Sequence, residues 1–167
     1  MSAAPEISRV AVVGAGFMGS GIAESAASAG VDVTLFEPDA APLQRSRERL
    51  ATSLDRALAR GKLTAEQAEA LTGRIAYTND LADLDGVDAV MEAVTEDPRV
   101  KGKLFADLDR RLPDAVFLAS NTSSIPIAEI AAWTQRPERV IGLHFFSPVP
   151  VMKLVESWSL WTRQTRR

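Results

Sequence analysis

A glycine-rich turn, Gly14-Ala15-Gly16-Phe17-Met18-Gly19, lies between a strand-like and a helix-like segment near the start of the chain. Residues 7–13 (ISRVAVV) are rich in β-branched side chains and predict a short strand buried on both faces. Residues 17–29 are mostly small and predict a helix. A G-x-G-x-x-G string is weak evidence alone, but between a strand and a helix it predicts a dinucleotide-binding turn.

The helix after the turn is predicted to have one apolar face, and a second strand follows it. Its apolar residues recur at spacings of 4, 4 and 3, namely Met18, Ile22, Ala26 and Ala29. Gly30 is expected to end the helix. Residues 31–36 (VDVTLF) alternate in polarity and predict a strand that ends before Pro38. A strand, a helix and a strand in this order indicate a parallel sheet.

Each glycine of the turn has a separate task in a dinucleotide site. Gly14 permits a tight turn, Gly16 lets the backbone approach the pyrophosphate, and Gly19 allows close packing of helix on strand. Glu37 lies 18 positions after Gly19, at the end of the second predicted strand. We expect its carboxylate to accept hydrogen bonds from the adenosine ribose and to repel a 2′-phosphate, which favours NAD over NADP. A structural turn with a surface glutamate and a FAD site remain alternatives, although nothing else indicates flavin.

The rest of the chain continues the alternation of strands and helices. Residues 39–60 predict an amphipathic helix with an apolar stripe of Leu43, Leu50, Leu54 and Leu58. A capping box at Thr64 and Gln67 predicts a second helix to about residue 71, which completes a helical hairpin. Further strands are predicted at residues 74–77, 88–93, 115–119 and 139–144, with a helix at 98–111. The pattern predicts a Rossmann-like, doubly wound α/β fold with a mostly parallel sheet and a helical-hairpin insertion after strand 2.

Composition excludes several classes of function. The chain has 167 residues, a usual length for one domain, and its 19 basic and 22 acidic residues give a net charge of −3. This balance argues against a nucleic-acid or polybasic membrane surface. The absence of cysteine excludes disulfides, thiolate nucleophiles and Cys-ligated metals, and it fits a reducing compartment. With no signal-like start and no apolar run near the ~18–20 residues of a membrane span, we expect a cytoplasmic protein.

A candidate catalytic set lies at predicted strand ends. His144, the single histidine of the chain, ends the strand at 139–144, and Ser123 follows the strand at 115–119. Ligands of open α/β sheets bind at the carboxyl ends of the strands. Glu156 ends an apolar run and would need a partner if partly buried. In a hydroxyl oxidation an imidazole can take the proton, Glu156 would orient the ring, and Ser123 would hold the substrate oxygen. A lone histidine is more often a packing or surface residue, so spacing alone leaves this set a hypothesis.

Four segments resemble, in order, the NAD-binding domain of the L-3-hydroxyacyl-CoA dehydrogenases, including the 3-hydroxybutyryl-CoA dehydrogenases. They are VAVVGAGFMGSGIAESAASAG, MEAVTEDPRVKGKLFADLD, LASNTSSIPIAEIA and RVIGLHFFSPVPVMKLVE, and they cover about residues 7–156. The resemblance implies an oxidoreductase that uses NAD to oxidise (3S)-3-hydroxyacyl-CoA to 3-oxoacyl-CoA. It implies His144 as the base, Glu156 as its partner, and Ser123 as a ligand of substrate and nicotinamide ribose. The expected cofactor-binding residues are Gly14, Gly16, Phe17, Met18, Gly19, Glu37, Ala93, Glu96, Lys101, Ser123 and Ser147. No metal site is expected.

The chain departs from the family pattern in three ways. Ser147 replaces the usual asparagine of an HFFNP motif, which alters one polar contact near the nicotinamide. Residues 157–167 (SWSLWTRQTRR) differ from the usual apolar continuation. We therefore place a domain boundary at residue 156 and interpret the tail as the product of a frameshift or truncation. The family's C-terminal helical domain carries a catalytic asparagine, closes over the acyl-CoA and forms the dimer, and it is expected to be absent.

Two functions follow from the sequence. The first is the dehydrogenase, in fatty acid metabolism, with activity impaired because catalysis depends on accurate positioning of the substrate. The second is a non-catalytic NAD-binding module that acts with a partner chain. A β-hydroxyacid dehydrogenase with a catalytic lysine in a second domain is disfavoured, because its motifs are missing. Expected partners are an acyl-CoA, bound in part by the hairpin around residues 60–71, and a second copy joined through exposed apolar surface. Neither nucleic acid nor membrane is expected.

Overall fold

The computed structural model describes residues 6–160, which form a single sheet with helices on both faces. The strands are β1 (Arg9–Val13), β2 (Asp32–Phe36), β3 (Ile75–Thr78), β4 (Ala89–Glu92), β5 (Phe117–Ser120), β6 (Val140–Phe145) and β7 (Val155–Ser159). The α-helices are α1 (Phe17–Ser28), α2 (Ala40–Ala59), α3 (Ala65–Gly73), α4 (Pro98–Arg111) and α5 (Ile127–Ala131). Short 3₁₀ helices lie at Leu81–Leu84 and Pro137–Arg139.

The sheet has the strand order β3-β2-β1-β4-β5-β6-β7. Strands β1 to β6 are parallel, and β7 pairs antiparallel with β6. From β3, at one edge, the chain returns to the middle of the sheet and adds β4 beside β1, so the strand order reverses between β1 and β4. Doubly wound proteins bind ligands at this switch point. The Rossmann-like fold is confirmed, including the hairpin of α2 and α3 inserted between β2 and β3.

The core lies in two layers because side chains alternate between the two faces of each strand. In β1, Val10 and Val12 pack in one cluster with Ile22 of α1 and Leu50 of α2. Ala11 and Val13 face the other cluster, which contains Phe105 and Leu108 of α4. Burial on both faces explains why β1 is an uninterrupted apolar run.

The helices follow the sequence pattern except at their ends. The capping box of α3 is confirmed: the Gln67 N–H donates to Thr64 Oγ1 (3.2 Å) and the Thr64 N–H donates to Gln67 Oε1 (2.9 Å). The expected apolar face of α1 is wrong at Ala29, which follows the last helical residue and is exposed; Ala23 and Ala27 are buried instead. Leu58, in the last turn of α2, is also exposed.

One α-helix and one strand have no counterpart in the sequence prediction, and neither have the two short 3₁₀ helices. Helix α5 has five residues, too few to show helical periodicity. All five residues of β7 are exposed, so no apolar alternation marks this strand. It continues past the boundary proposed at residue 156 as far as Ser159, while residues 161–167 of the proposed tail lie outside the described part of the chain.

Strand β7 carries a close contact between a backbone and a ring. Gly142 of β6 and Trp158 of β7 are opposite each other, and a Cβ on Gly142 would lie 2.4 Å from the Trp158 ring. The indole therefore occupies space that any other residue at position 142 would fill.

Among residues 6–160 there is no helix long and apolar enough to cross a membrane.

Candidate active site

The glycine-rich turn is closed tightly between β1, α1 and β4. Gly14 has φ +105°, in the left-handed region, and a Cβ there would lie 2.7 Å from the Ala93 carbonyl oxygen. A Cβ on Gly19 would lie 1.7 Å from the Gly14 carbonyl oxygen. The Gly14 N–H donates to the Phe36 carbonyl at 2.9 Å, which joins the turn to the end of β2. Glycine is therefore required at both positions by contact distances.

The same turn fits a bound pyrophosphate. A Cβ on Gly16 would meet no heavy atom within 4 Å, so the backbone borders open space at this residue. Gly16 is also the N-cap of α1 and provides no side chain to accept the first helical N–H groups. Free N–H donors at a helix N-terminus, next to open space, are suited to phosphate oxygens. Glu37 is beside the turn, where its Oε2 accepts the Ala15 N–H at 3.1 Å.

A cavity of about 410 Å³ lies beyond the turn, at the carboxyl ends of β4, β5 and β6. Seven of the residues expected in the site line it: Met18, Ala93, Glu96, Lys101, Ser123, His144 and Ser147. The parallel strands bring these residues together because their carboxyl ends meet at one edge of the sheet. Phe17 lies elsewhere, in the wall of a second and larger cleft.

His144 and Glu156 form a pair at the wall of this cavity. They are opposite each other in the β6–β7 register, and Nδ1 of His144 lies 3.1 Å from Oε2 of Glu156. Glu156 is largely exposed, with 54% of its side chain accessible, so burial is not the reason for its pairing with His144. The Phe146 ring packs edge-on against the imidazole, with centroids 4.6 Å apart. With Nδ1 engaged by the carboxylate, Nε2 is the nitrogen that remains for a ligand.

Glu96 holds the loop that carries Ser123. Its Oε1 accepts the N–H groups of Ser123 (3.1 Å) and Ser124 (3.2 Å), together with the hydroxyls of Thr122 and Ser124. Partial burial acts to raise the pKa of Glu96, but the Thr122 and Ser124 hydrogen bonds and the charge of Lys101 outweigh it, so the pKa lies below its ordinary value. The charged form of Glu96 therefore fixes the loop after β5.

A buried ion pair lies beneath this loop, and the sequence reasoning missed half of it. Glu92, the last residue of β4, is fully buried, and its Oε1 lies 2.6 Å from Nζ of Lys101. Nζ is also 3.5 Å from Oε2 of Glu96. Lys101 was expected as a cofactor contact, yet it is almost completely buried and its charge is already paired. A glutamate at the end of an apolar strand, nine residues before a helical lysine, was the available signal.

Asn121 is a further residue to which the sequence reasoning gave no role. Its Oδ1 accepts the Phe145 N–H at 2.8 Å. This bond joins the start of the Ser123 loop to the strand end next to His144. The hydrogen bond between Asn121 and Phe145 therefore adds to the sheet in fixing the positions of the nearby Ser123 and His144.

The larger cleft, of about 850 Å³, lies between α1, α2 and the segment at residues 148–151. Its charged lining is mostly basic and consists of Arg45, Arg49, Arg56, Arg60 and Lys62, with Glu24 and Glu48 as the acidic members. Burial raises the pKa of Glu24, against the lowering effect of the hydrogen bond from Ser53. The cleft is thus a cationic surface next to the start of α1.

Among residues 6–160, no cluster of three or more His, Asp or Glu side chains is arranged to hold a metal ion.

Comparison with known families identifies the domain. Residues 9–162 match the family described as 3-hydroxyacyl-CoA dehydrogenase, NAD binding domain. The chain belongs to this family. The match includes the glycine-rich turn, His144 and Glu156, and it agrees with the resemblance deduced from the four sequence segments. NAD is therefore the cofactor of this NAD-binding domain.

Individual relatives support the same assignment. The 3-hydroxybutyryl-CoA dehydrogenase of Mycobacterium tuberculosis is 56% identical over 152 residues, covering 90% of this chain and 53% of that protein. A probable 3-hydroxybutyryl-CoA dehydrogenase of Bacillus subtilis is 46% identical over 151 residues, again covering 90% of this chain and 53% of the relative. The NAD-binding domain described here thus spans about half the length of these curated relatives.

Solved structures resemble the domain equally well. The crystal structure of M. tuberculosis FadB2 superposes with a TM-score of 0.88 at 54% identity, covering 92% of this chain and 54% of that one. The 3-hydroxybutyryl-CoA dehydrogenase of Escherichia coli K12 gives a TM-score of 0.89 at 46% identity, covering 92% of this chain and 32% of that one. The fold of this domain is therefore that of the matched part of these two dehydrogenases.

Proposed function

We propose that the domain takes part in the NAD-dependent oxidation of (3S)-3-hydroxyacyl-CoA to 3-oxoacyl-CoA. The observation that carries this proposal is the 3.1 Å contact between His144 and Glu156 at the wall of a cavity that Ser123 also lines. This cavity is next to a turn that fits a pyrophosphate. An imidazole oriented by a carboxylate, with a hydroxyl nearby and a dinucleotide site beside them, is suited to the proton transfer of an alcohol oxidation.

The proposed binding mode follows the order of the strands. Glu37, at the end of β2, binds the adenosine ribose, and the N–H groups at the start of α1 bind the pyrophosphate. The cavity at β4 to β6 then receives the nicotinamide half, where Met18, Ala93, Glu96 and Ser147 are the proposed contacts. Lys101, buried and paired with Glu92, is proposed to act there through Glu96. When bound, NAD supplies the acceptor for the hydride. The carboxylate of Glu37 disfavours the extra phosphate of NADP.

The proposed chemistry of the chain's own residues is a proton transfer. His144 accepts the proton of the substrate hydroxyl on Nε2 while Ser123 holds the same oxygen by a hydrogen bond. Glu156 accepts the Nδ1–H, which fixes the ring orientation, and its charge stabilises the imidazolium that forms. His144 and Ser123 are the proposed catalytic residues that touch the substrate, and Glu156 acts through His144.

The basic cleft is the proposed location for part of the CoA. Coenzyme A carries several phosphate charges, and the guanidinium groups of Arg56 and Arg60 in this cleft are suited to bind them. The cleft is formed partly by the helical hairpin, in agreement with the CoA-facing role expected for residues 60–71.

A second candidate is a non-catalytic NAD-binding module that acts with a partner chain. The observation that favours it is the exposed apolar surface of residues 151–160, which is suited to packing against a partner chain. Association is proposed to use an apolar strip of exposed residues, namely Val151, Met152, Leu154, Val155, Trp158 and Leu160. A second copy of the chain is the proposed partner, and light scattering across a range of concentrations tests this association. The cytoplasm is the proposed compartment.

One experiment separates the two candidates. The purified chain is titrated with NADH by fluorescence, and NADH consumption is then followed by absorbance after addition of acetoacetyl-CoA. Binding with turnover supports the dehydrogenase, and binding without turnover supports the module. Absence of NADH binding would contradict both.

A further inference from the structure

Glu92 is a buried carboxylate that does not line the cavity at β4 to β6. It is the last residue of β4, its accessible surface is 0%, and three groups donate to it. The Val94 N–H and Nζ of Lys101 donate to Oε1, both at 2.6 Å, and the Ser120 hydroxyl donates to Oε2 at 2.6 Å. Both oxygens are therefore occupied by protein donors.

Stability gives little reason for an ion pair at this position. Transfer of a carboxylate and an ammonium out of water costs several kcal/mol per ion, and apolar residues of similar volume often serve a core equally well. A buried pair with further hydrogen bonds does fix the positions of the groups it contacts. The presence of Glu92 at this position is therefore better explained by the groups it holds in place than by a gain in stability.

Two chains of contacts lead from Glu92 to the loop that carries Ser123. One runs through Lys101, whose Nζ lies 3.5 Å from Oε2 of Glu96, the residue that accepts the Ser123 N–H. The other runs through Ser120, whose Oγ accepts the Thr122 N–H at 3.3 Å. The first chain leaves the carboxylate by Oε1 and the second by Oε2. Glu92 is thus connected through protein contacts both to Glu96 and to the loop that carries Ser123.

We propose that Glu92 is a positioning residue for the nicotinamide half of the cofactor site, acting through Lys101 and Ser120 on Glu96 and Ser123. This inference rests on the proposed function, because it takes the cavity at β4 to β6 as the place of the nicotinamide. Loss of the carboxylate leaves Lys101 with Glu96 as its nearest remaining anion. Closer pairing of Lys101 with Glu96 then competes with the bonds that Glu96 makes to the loop.

The test compares two ligands that differ at the nicotinamide. NADH and ADP-ribose share the adenosine, the pyrophosphate and the second ribose, so the ratio of their affinities isolates the contribution of the nicotinamide ring. Calorimetric titration of the whole chain gives both dissociation constants. In Glu92→Gln, which keeps the shape and removes the charge, we expect the ratio of NADH affinity to ADP-ribose affinity to fall about tenfold, equivalent to about 1.4 kcal/mol. General destabilisation would weaken both ligands together.

Asp109→Asn is the matched control. Asp109 is a buried carboxylate on α4 that holds Arg136 in an ion pair and accepts the Gln135 N–H, and it lines neither cavity described above. We expect this variant to lower the melting temperature and to leave the affinity ratio unchanged. If Glu92→Gln does not fold, Ser120→Ala replaces it, because it removes one oxygen and cuts the second chain of contacts. We expect a fall of about threefold in the ratio, equivalent to about 0.7 kcal/mol.

The possible failures are distinguishable. If the wild-type chain binds NADH no better than ADP-ribose, the proposed nicotinamide site is wrong, and the role proposed for Glu92 is wrong as well. If the wild type prefers NADH and both Glu92→Gln and Ser120→Ala keep that preference, the role of Glu92 is overturned while the proposed function stands. An equal loss in Asp109→Asn would also overturn it.

Discussion

Nδ1 of His144 lies 3.1 Å from Oε2 of Glu156, and the two residues are direct neighbours across the β6–β7 pair. The contact is set by backbone register and not by burial, since Glu156 is half exposed on an edge strand. Substitution of either side chain therefore leaves no buried charge without a partner. The pair can be altered without loss of the fold, which makes its proposed chemistry accessible to mutagenesis.

The first prediction concerns this pair. If the chain turns over acetoacetyl-CoA, we expect His144→Gln to reduce the rate by about 10²-fold or more, because a general acid–base group contributes roughly 10²–10⁴-fold. Glu156→Gln should reduce it in the same direction and by less. NADH affinity should stay within about twofold in both, because neither residue binds the cofactor phosphates. The control is Glu138→Gln on the exposed surface, and a wild-type rate in His144→Gln would remove this residue from the mechanism.

The second prediction concerns Glu37. We expect Glu37→Ala to weaken NADH binding by roughly tenfold or more, since a hydrogen bond to a charged group contributes about 1.5–3 kcal/mol. The discrimination against NADPH should shrink because the repelling carboxylate is gone. Fluorescence titration with both nucleotides measures the change. Asp39→Ala is the control, because Asp39 is exposed and its side chain makes no capping bond to α2. Equal NADH affinity in wild type and Glu37→Ala would make Glu37 a bystander.

The third prediction compares two glycines of one turn. In Gly19→Ala the new methyl group overlaps the Gly14 carbonyl, so we expect the free energy of unfolding to fall by about 1–3 kcal/mol. In Gly16→Ala the methyl group enters open space, so stability should change by less than about 1 kcal/mol. ADP-ribose affinity should nevertheless fall in Gly16→Ala, because the methyl group occupies the path of the pyrophosphate. Urea unfolding and calorimetry give both quantities, and full affinity in Gly16→Ala would place the phosphates elsewhere.

The fourth prediction concerns acid stability. The pKa of Glu96 is lower in the folded domain than in the unfolded chain, so its contribution to stability is complete above the ordinary glutamate value near 4.5. This contribution is lost as the pH falls through the lower folded value. We expect Glu96→Gln to give a flatter dependence of the unfolding free energy on pH below about 4.5 than the wild type. Parallel profiles in urea unfolding at several pH values would show that Glu96 is not held in its charged form.

Local patterns predicted much of the fold. The glycine string placed β1, α1 and β2, and the helix predicted at residues 98–111 has the bounds of α4. Elements without a buried, periodic face were missed, as in β7. The site was predicted at strand ends, where topology alone brings residues together. The Glu92 pair and the Asn121 bond to Phe145 were missed because their roles depend on the distance between β4 and α4 and between β5 and β6, which no local pattern encodes.

The contact between Gly142 and Trp158 also selects the alignment of the last two strands. A shift of β7 by one residue would turn Glu156 to the opposite side of the sheet and separate it from His144. The indole fits only where the opposing residue has no side chain, and Gly142 is that residue. The alignment of the proposed base with its carboxylate thus depends on a glycine, which has no side chain to take part in the reaction. An alanine at position 142 would be expected to disturb the site by displacing a strand.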